Sequence, residues 1–427
     1  MSEQLRSEPL AAPAPDLAAV QRRTVWVLSA GQVLGGVGVG AGIAVGGLLA
    51  ARLAGTAAVA GLTQTTAVLG AAVIAIPVSR LMSRSGRRPG MMAAYASAVL
   101  GCAIVVLAAA LGSFPAMLPG MFLLGAGTTA GLQARFAATD LATPERRGRS
   151  LALVVWATTL GAVLGPNLSE PAGRLAIMMG LPELSGPFVV AAVLFLGAFG
   201  ALSLLRPDPL LLARREAGGD PSVAAARLSV RDSLAAIVAT GNGRLGLAAV
   251  VAAQSVMVAV MVLTPVHLDD GGVGLRVIGL VISVHIAGMY ALSPVVGWIA
   301  DRAGRRGAVL IGVGVLSAAL VVSGTAAPDA AVQLGVGLFL LGLGWSFGLI
   351  AGSTLVTESV PLPVRPFAQG ATDLTMGLCA AVAGALAGPI LAWADFGGLT
   401  AAAGVLVVPV AVLALAGARF SPGRGTA

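Results

Sequence analysis

The chain has 427 residues, of which 57% are hydrophobic and 10% are charged, and its formal net charge is +8. Soluble globular domains carry about 25% charged residues, so this composition excludes an ordinary soluble fold. A membrane-spanning helix needs ~20 apolar residues, and the length therefore leaves room for roughly a dozen such helices. Because the apolar stretches are continuous and do not alternate every second residue, they predict helices and not a barrel.

Twelve spans are predicted, in two sets of six. The first set lies near 24–51, 56–79, 91–111, 114–142, 150–169 and 185–205, and the second near 244–267, 276–300, 308–326, 331–358, 367–393 and 398–416. These sets define an N-terminal bundle, 24–205, and a C-terminal bundle, 244–416. Residues 206–243 are a polar central loop. Residues 1–23 and 417–427 are predicted to be tails, and the first has no apolar core of a signal peptide and reads as disordered.

The arginines set the predicted orientation. They concentrate in the tails, the central loop and alternate turns, whereas only Arg52, Arg174 and Arg276 fall in turns on the other side and Arg135 lies within a span. By the positive-inside rule, both termini are cytoplasmic in a multi-pass protein of the plasma membrane. No loop is large enough for a nucleic-acid-binding domain, so the positive charge is interpreted as a topology signal.

Two basic turns occupy corresponding places in the two halves. The second runs from Gly297 to Arg306 and carries Asp301, and the first runs from Ser79 to Arg88 with Ser83 at the corresponding position. The pattern resembles the cytoplasmic signature that follows the second and eighth helices of major facilitator superfamily transporters. The resemblance implies an all-α polytopic membrane protein, with twelve transmembrane helices in two pseudo-symmetric six-helix bundles. It also implies a secondary transporter that works by alternating access, and not an enzyme.

By the same resemblance, the turns and the neighbouring helix ends form a gate that closes the cytoplasmic side. The candidate gate residues are Arg84, Arg87, Asp140, Asp301, Arg302, Arg305 and Glu358. Asp140 and Glu358 end predicted helices on the arginine-rich side, where guanidinium groups can donate hydrogen bonds to carboxylates. The alternative is that these charges only anchor the chain at the membrane interface. Because Ser83 leaves the first turn without an acid, we expect an asymmetric gate.

Glycine patterns in the spans allow two interpretations. Gly161-x-x-x-Gly165-Pro166 resembles a signature of the family's proton-coupled exporters, the drug/proton antiporter type, and it recurs in the eleventh span at 384–389. Small residues four apart also let helices approach closely, so helix packing is the alternative. The glycine run 36–42 invites a nucleotide-binding interpretation. No strand or acidic ribose partner accompanies the run, which predicts a close-packing helix face instead.

Few polar groups lie within the spans. The candidate substrate-binding residues are Gln32, Gln64, Gln254 and Trp345. Gln32 and Gln254 fall on helices that line the central cavity in this family, and neutral amides suit an uncharged or weakly polar ligand. Hydrogen bonding between helices is the alternative.

Proton coupling needs a group that titrates inside the membrane, and the deep candidates are Asp373 and His285. Asp373 is favoured, because a carboxylate that loses water is pushed toward its neutral form. Two ion pairs are also conceivable from the predicted positions: Asp373 with Arg365, and Asp140 with Arg135. A histidine bonded to a backbone carbonyl is the alternative for His285.

We expect proton-coupled efflux of a lipophilic or weakly polar small molecule. Uptake or facilitated diffusion of a small neutral or anionic metabolite is the alternative, and a non-transporting membrane sensor or scaffold is a second. No catalytic residue, cofactor, metal site or nucleic-acid partner is predicted. Cys102 and Cys379 both fall within apolar stretches, which argues against a disulfide framework. The expected partners are a small-molecule substrate, a proton or other coupling ion and the lipid bilayer, and the chain is expected to be a monomer.

Overall fold

A computed structural model describes residues 16–55, 60–217, 229–273 and 275–416. These residues form helices and no strand. In chain order the helices are α1 (Leu17–Ala54), α2 (Ala60–Ser85), α3 (Arg87–Ala110), α4 (Phe114–Ala137), α5 (Arg147–Asn167), α6 (Ser169–Met178), α7 (Gly186–Ser203), α8 (Pro209–Glu216), α9 (Val230–Val238), α10 (Gly241–Asp270), α11 (Leu275–Tyr290), α12 (Ser293–Arg302), α13 (Arg305–Gly324), α14 (Ala331–Ser359), α15 (Arg365–Val405) and α16 (Val408–Ala416).

The predicted fold class is confirmed: the chain is all-α, and each predicted span coincides with a long helix or a pair of consecutive helices. Within the described residues, nine stretches are long and apolar enough to cross a bilayer. The last of them, Leu362–Ala416, has 55 residues, which is enough for two crossings. The eighth predicted span is divided into α11 and α12.

Several boundaries differ from the sequence prediction for identifiable reasons. The Asp16 side chain accepts hydrogen bonds from the backbone N–H groups of Ala18 and Ala19, so α1 begins at Leu17, inside the predicted tail. The predicted central loop contains α8 and α9. Within α15 the backbone leaves helical geometry at Ala394 and Asp395, and the chain turns there between the eleventh and twelfth predicted spans. Residues 1–15, 218–228 and 417–427 of the predicted tails and loop lie outside the described residues.

Each half has its own apolar core, and the two halves meet along two seams, where Leu151, Ala152 and Val155 of α5 pack into the core of the second half. In the first half, α1 packs on α5 and α7, and α3 packs on α4; in the second, α14 packs on α10, α11 and α13. The halves contact each other mainly where α2 meets α15 and where α5 meets α12. Both seams lie next to the basic turns, so the halves are closed against each other on this side, which we call the arginine-rich face.

A glycine seam joins α1 to α5. A Cβ atom on Gly161 would lie 2.7 Å from the Cα of Gly36, and one on Gly165 would lie 2.8 Å from the Cα of Gly40. Only residues without a side chain let the backbones approach this closely. The glycine run therefore serves as a packing face, as its sequence predicted. The corresponding glycine in the second half, Gly388, has nothing within 4 Å of the point that a Cβ would occupy, so the repeat in sequence is not repeated in packing.

Candidate substrate cavity and gate

A cavity of about 340 Å³ lies between the two halves. Its walls come from α1, α3, α4 and α5 of the first half and from α10, α11, α14 and α15 of the second. Pockets for small molecules are about 300–1,000 Å³ and mostly apolar with a few placed polar groups. This cavity fits that description, since three aromatic residues (Tyr95, Tyr290 and Trp345) and three methionines (Met257, Met289 and Met376) contribute to its lining.

Three of the four residues predicted to bind substrate lie on this cavity: Gln32, Gln254 and Trp345. The indole Nε1 of Trp345 donates a hydrogen bond of 2.6 Å to the Oε1 of Gln254, which fixes both side chains. The Gln32 amide donates to the hydroxyl of Thr158 at 2.8 Å, and its Oε1 has no partner among the described residues. The fourth, Gln64, has an exposed side chain on α2 and does not line the cavity.

Arg135 is the charged residue on the cavity lining, and Asp373 holds it in place. The Nη2 of Arg135 donates to the Oδ1 of Asp373 at 2.5 Å, and the amide of Gln133 donates to the Oδ2 at 2.9 Å. Both side chains of the ion pair are almost fully buried. The Nε and Nη1 of Arg135 are also buried and find no hydrogen-bond partner among the described residues. Two donor nitrogens of this charged group thus have no protein partner beside the cavity, although the guanidinium also lies over the Phe136 ring at 4.6 Å.

In the structure, both aspartates pair with arginines other than those considered from the sequence. Asp373 pairs with Arg135 of the other half, not with Arg365, and Asp140 pairs with Arg87, not with Arg135. The reason is that α4 packs where the halves meet, so that Arg135 in its last turn reaches across to α15. Asp373 lies eight residues into α15, ~12 Å from its start at 1.5 Å per residue.

Arg87 is the centre of a second buried cluster, which lies between the Arg135–Asp373 pair and the arginine-rich face. Its guanidinium makes two hydrogen bonds to Asp140, of 2.7 and 3.0 Å, and a third of 2.7 Å to the Oε1 of Gln369 in the other half. It also donates to the Oε1 of Gln133 at 3.4 Å. Since the Gln133 amide donates to Asp373, polar contacts run without a break from the cavity lining to the arginine-rich face.

The second basic turn closes the seam between α5 and α12. The two carboxylate oxygens of Asp301 accept hydrogen bonds from the backbone N–H groups of Gly148 and Arg149, both at 2.9 Å. These N–H groups lie in the first turn of α5, where helical donors lack partners and the helix dipole attracts a negative charge. A Cβ on Gly148 would lie 2.7 Å from the Asp301 Oδ1, so this contact depends on glycine.

Ion pairs extend the same closure towards solvent. Arg305 lies 3.0 Å from Asp301, and Glu358 is reached by both Arg305, at 3.4 Å, and Arg147, at 3.5 Å. Arg305 also donates to the carbonyl of Pro144 in the first half. Three of the contacts around this turn join the two halves: Glu358 with Arg147, Arg305 with Pro144, and Asp301 with α5.

The first basic turn has a different closure, because Ser83 replaces the acid. Arg214, from α8 of the central segment, donates to the carbonyl of Ser83 at 2.8 Å and to that of Pro363 at 2.9 Å. It thereby bridges the end of α2 and the turn before α15. The arrangement is asymmetric, in line with the expectation from the missing aspartate.

Asp208 supports this side of the first turn. It caps α8 and accepts a hydrogen bond of 2.8 Å from the backbone N–H of Arg88. Burial raises the pKa of Asp208, and the backbone N–H donors around it oppose that rise. Gly86 packs directly against this carboxylate with a φ of 96°.

Three predicted residues lie apart from these clusters. Arg84 is exposed, and the guanidinium of Arg302 stacks over the Trp298 ring at 5.4 Å. His285 is buried on α11, with its Nδ1 2.8 Å from the carbonyl oxygen of Leu338, and it does not line the cavity.

Sequence reasoning missed Gln133, Gln369, Arg147 and Arg214 as site residues. Within apolar spans, the two glutamines differ from their neighbours only in being polar, which is the signal that singled out Gln32 and Gln254. The arginines were counted only towards topology, since nothing local in the sequence identifies the carbonyl and carboxylate groups that they meet.

A family model described as Major Facilitator Superfamily matches residues 28–274 and 245–425. An uncharacterized MFS-type transporter of Bacillus subtilis, YdeG, is 38% identical over 92% of this chain and 91% of its own length. The riboflavin transporter RfnT of Brucella anthropi is 30% identical over 88% of this chain and 90% of its own length.

Solved structures match at the level of fold. The human organic anion transporter MFSD10 has a TM-score of 0.72 at 17% identity, covering 94% of this chain and 100% of that one. The proton:xylose symporter XylE has a TM-score of 0.72 at 16% identity, covering 95% and 96%.

Proposed function

Because the chain belongs to the major facilitator superfamily, whose members are membrane transporters of small molecules, we propose that it carries a small planar aromatic molecule with carbonyl or carboxylate groups, together with a proton. The observation that carries this proposal is Arg135, which borders the cavity with two unoccupied buried donors. An unsatisfied buried donor of a charged group costs at least ~1–3 kcal/mol. A ligand acceptor that binds there would recover this free energy.

The rest of the cavity supports an aromatic ligand. Tyr290 and Trp345 meet edge to face with their ring centroids 5.5 Å apart, and Tyr95 lies on the opposite half. Such rings stack on flat ligands, and methionine side chains adapt to their outlines. Gln32 and Gln254 then supply neutral hydrogen-bonding groups at the rim of the same space.

The Arg135–Asp373 pair provides the proton coupling. While Asp373 is ionised, the pair is neutral. Protonation of Asp373 leaves the charge of Arg135 uncompensated and frees its Nη2, so an acceptor or anion in the cavity binds more tightly. By linkage, bound ligand favours protonation to the same extent. Proton and ligand therefore bind together, which is the behaviour of a symporter.

The direction follows from this coupling and from the orientation that the arginines favour. We place the arginine-rich face in the cytoplasm of the cell membrane. An inward proton gradient would then drive uptake, the alternative direction considered from the sequence, in place of efflux. Alternating access would open the gate contacts of Asp301, Arg87 and Arg214 when the loaded halves rock apart.

Riboflavin is the first ligand to test. The Brucella anthropi relative is by name a riboflavin transporter, and riboflavin combines a flat ring system with carbonyl acceptors. The assay is accumulation of labelled riboflavin in proteoliposomes, with and without an imposed pH step. We expect the parent protein to concentrate riboflavin in the compartment that the protons enter.

Two variants isolate the coupling pair. Asp373→Asn should still exchange riboflavin down its own gradient and should lose accumulation driven by the pH step. Asp329→Asn, which alters an exposed acid in the turn before α14, is the matched control and should behave as the parent. Accumulation by Asp373→Asn in response to the pH step would reject this pair as the coupling site.

Three other outcomes test the direction of transport, the role of Arg135 in ligand binding and the choice between transporter and sensor. Movement of ligand against the proton flow would assign the protein to efflux by exchange. Riboflavin binding that is unchanged in Arg135→Gln would reject the arginine as its anchor. Absence of flux for every flat acidic or carbonyl-bearing compound, in a protein that binds them, would favour the sensor alternative.

A further inference from the structure

A second large concavity lies outside the central cavity, between α1 and α5 at the arginine-rich face. Its volume is about 850 Å³. One wall runs from Leu17 to Val33 on α1, and the other runs from Leu141 to Leu160 through the start of α5. None of the described residues that line this groove is acidic. Nothing in the proposed transport cycle uses it.

Three arginines surround the mouth of the groove: Arg22, Arg146 and Arg149. Their side chains are exposed, and within the described residues none of their guanidinium groups forms an ion pair or a hydrogen bond. The two acids nearest in sequence form no ion pair with these arginines. Asp16 caps α1. The pKa of the exposed Glu145 carboxyl is lowered by its own backbone hydrogen bond, then by a hydrogen bond with Thr143 and by Arg305 and Arg147. The mouth therefore presents three guanidinium groups that pair with no carboxylate among the described residues.

Beyond the arginines the groove is mostly apolar, with Ser29 and Ser150 among the polar exceptions in its described lining. Val25, Ala30 and Val33 line it on α1, and Leu153 and Leu160 line it on α5. The rise along α5 from residue 149 to residue 160 is ~17 Å, close to half of the ~30 Å hydrocarbon core of a bilayer. One leaflet's acyl chain fits this length.

Two exposed tryptophans line the groove. Trp26 is 77% exposed and Trp156 is 41% exposed, and both line the groove. Tryptophan is enriched at the boundary between headgroups and acyl chains. The groove thus combines a basic mouth with apolar walls that carry two tryptophans, the groups that suit the headgroup and acyl chain of a phospholipid.

We propose that this groove binds an anionic phospholipid of the leaflet on the arginine-rich face. The phosphate would lie among the three guanidinium groups, whose fork geometry matches phosphate oxygens, and one acyl chain would lie along α1 and α5. A zwitterionic lipid is disfavoured, because it would bring an ammonium group to the same three positive charges.

The test compares lipids on the full-length purified protein in detergent. Native mass spectrometry counts retained lipid, and thermal unfolding gives the shift in Tm with phosphatidylglycerol, with phosphatidylcholine of the same acyl chains and with inorganic phosphate. We expect retention and a raised Tm with phosphatidylglycerol only. Each arginine near an anionic headgroup raises the binding constant for the lipid by a factor of about five. Replacing all three by glutamine should therefore weaken phosphatidylglycerol binding roughly a hundredfold.

A matched triple variant controls for charge. Arg206, Arg215 and Arg231 are exposed arginines of the central segment, and their replacement by glutamine removes the same charge away from the groove. The control variant should bind phosphatidylglycerol as the parent does. The Tm of both variants without lipid establishes that they are folded.

Four results would overturn the proposal. These are equal losses in the two triple variants, equal retention of the two lipids, binding of inorganic phosphate with the same dependence on the three arginines, and lipid binding that rises when residues 1–15 are removed. The third would indicate a site for a free anion. The fourth would indicate that the chain's own N-terminal segment occupies the groove.

Discussion

Replacing Asp301 by asparagine should weaken the closed state of the gate by a calculable amount. The carboxylate accepts two hydrogen bonds across the seam, both of 2.9 Å, from the start of α5. Its third contact, to Arg305, lies four residues along the chain within the same half, so it does not join the two halves. Asparagine keeps one acceptor and loses the charge. The difference is about one charge-assisted hydrogen bond, ~2 kcal/mol, which shifts the ratio of closed to open protein ~30-fold.

Thiol labelling measures this shift. Ser79 is fully buried where α2 meets α15, with its Oγ against Gly370, and cysteine is close to serine in size. In a background without Cys102 and Cys379, a thiol reagent should modify Ser79→Cys slowly, because the thiol is reached only when the seam opens. We expect Asp301→Asn to raise this labelling rate by one to two orders of magnitude, following the ~30-fold population shift.

Asp329→Asn serves again as the control, since it removes the same charge from an exposed position. Its labelling rate should match that of the parent. An unchanged labelling rate in Asp301→Asn, in protein whose Tm shows that it is folded, would refute the assignment of Asp301 to the gate.

Three further outcomes are expected. Gln32→Ala and Gln254→Ala should each lower riboflavin affinity about fivefold in a direct binding titration, the worth of one ~1 kcal/mol hydrogen bond; unchanged affinity would make both glutamines interhelical contacts only. Gly86→Ala should lower the unfolding free energy by roughly 1–3 kcal/mol, seen as a reduced Tm, because its φ of 96° and the 2.5 Å from a Cβ to the Asp208 Oδ2 disfavour any side chain. Arg214→Gln should speed the same thiol labelling roughly tenfold, since it removes a bridge of 2.8 and 2.9 Å between the two seam elements; an unchanged rate would exclude the bridge from the gate.

The architecture could be predicted from the sequence because hydropathy and arginine placement act locally. Each span is predicted from its own length and hydropathy, and each basic turn indicates by its own arginines on which side of the membrane it lies. The cavity was partly predictable for a related reason. A polar side chain in an apolar span needs a partner or a ligand. This argument selected Gln32 and Gln254, which line one space, and also Gln64, which does not line it.

The buried ion pairs were beyond sequence reasoning, because they depend on which helix ends face each other. Asp140 is five residues from Arg135 along the chain, yet it pairs with Arg87, and Arg135 reaches Asp373 in the other half. Separation along the sequence says nothing about the direction of a side chain at the end of a helix. Arg214 illustrates the same limit, since its partners are backbone carbonyls that any residue would offer.

The glycine contact between α1 and α5 has a mechanical consequence. The backbones of α1 and α5 are in contact at Gly36 and Gly161, and again at Gly40 and Gly165. The two helices therefore cannot rotate or slide past each other unless they first separate. α5 carries the N-terminal turn that Asp301 holds, and α1 carries Gln32 on the cavity wall. In the proposed alternating-access cycle, release of this turn would therefore move α5 and the α1 wall of the cavity together. The second half has no such contact at Gly388; there the backbones approach at Gly246 and Gly352, which joins α10 to α14 and so ties a different pair of helices together.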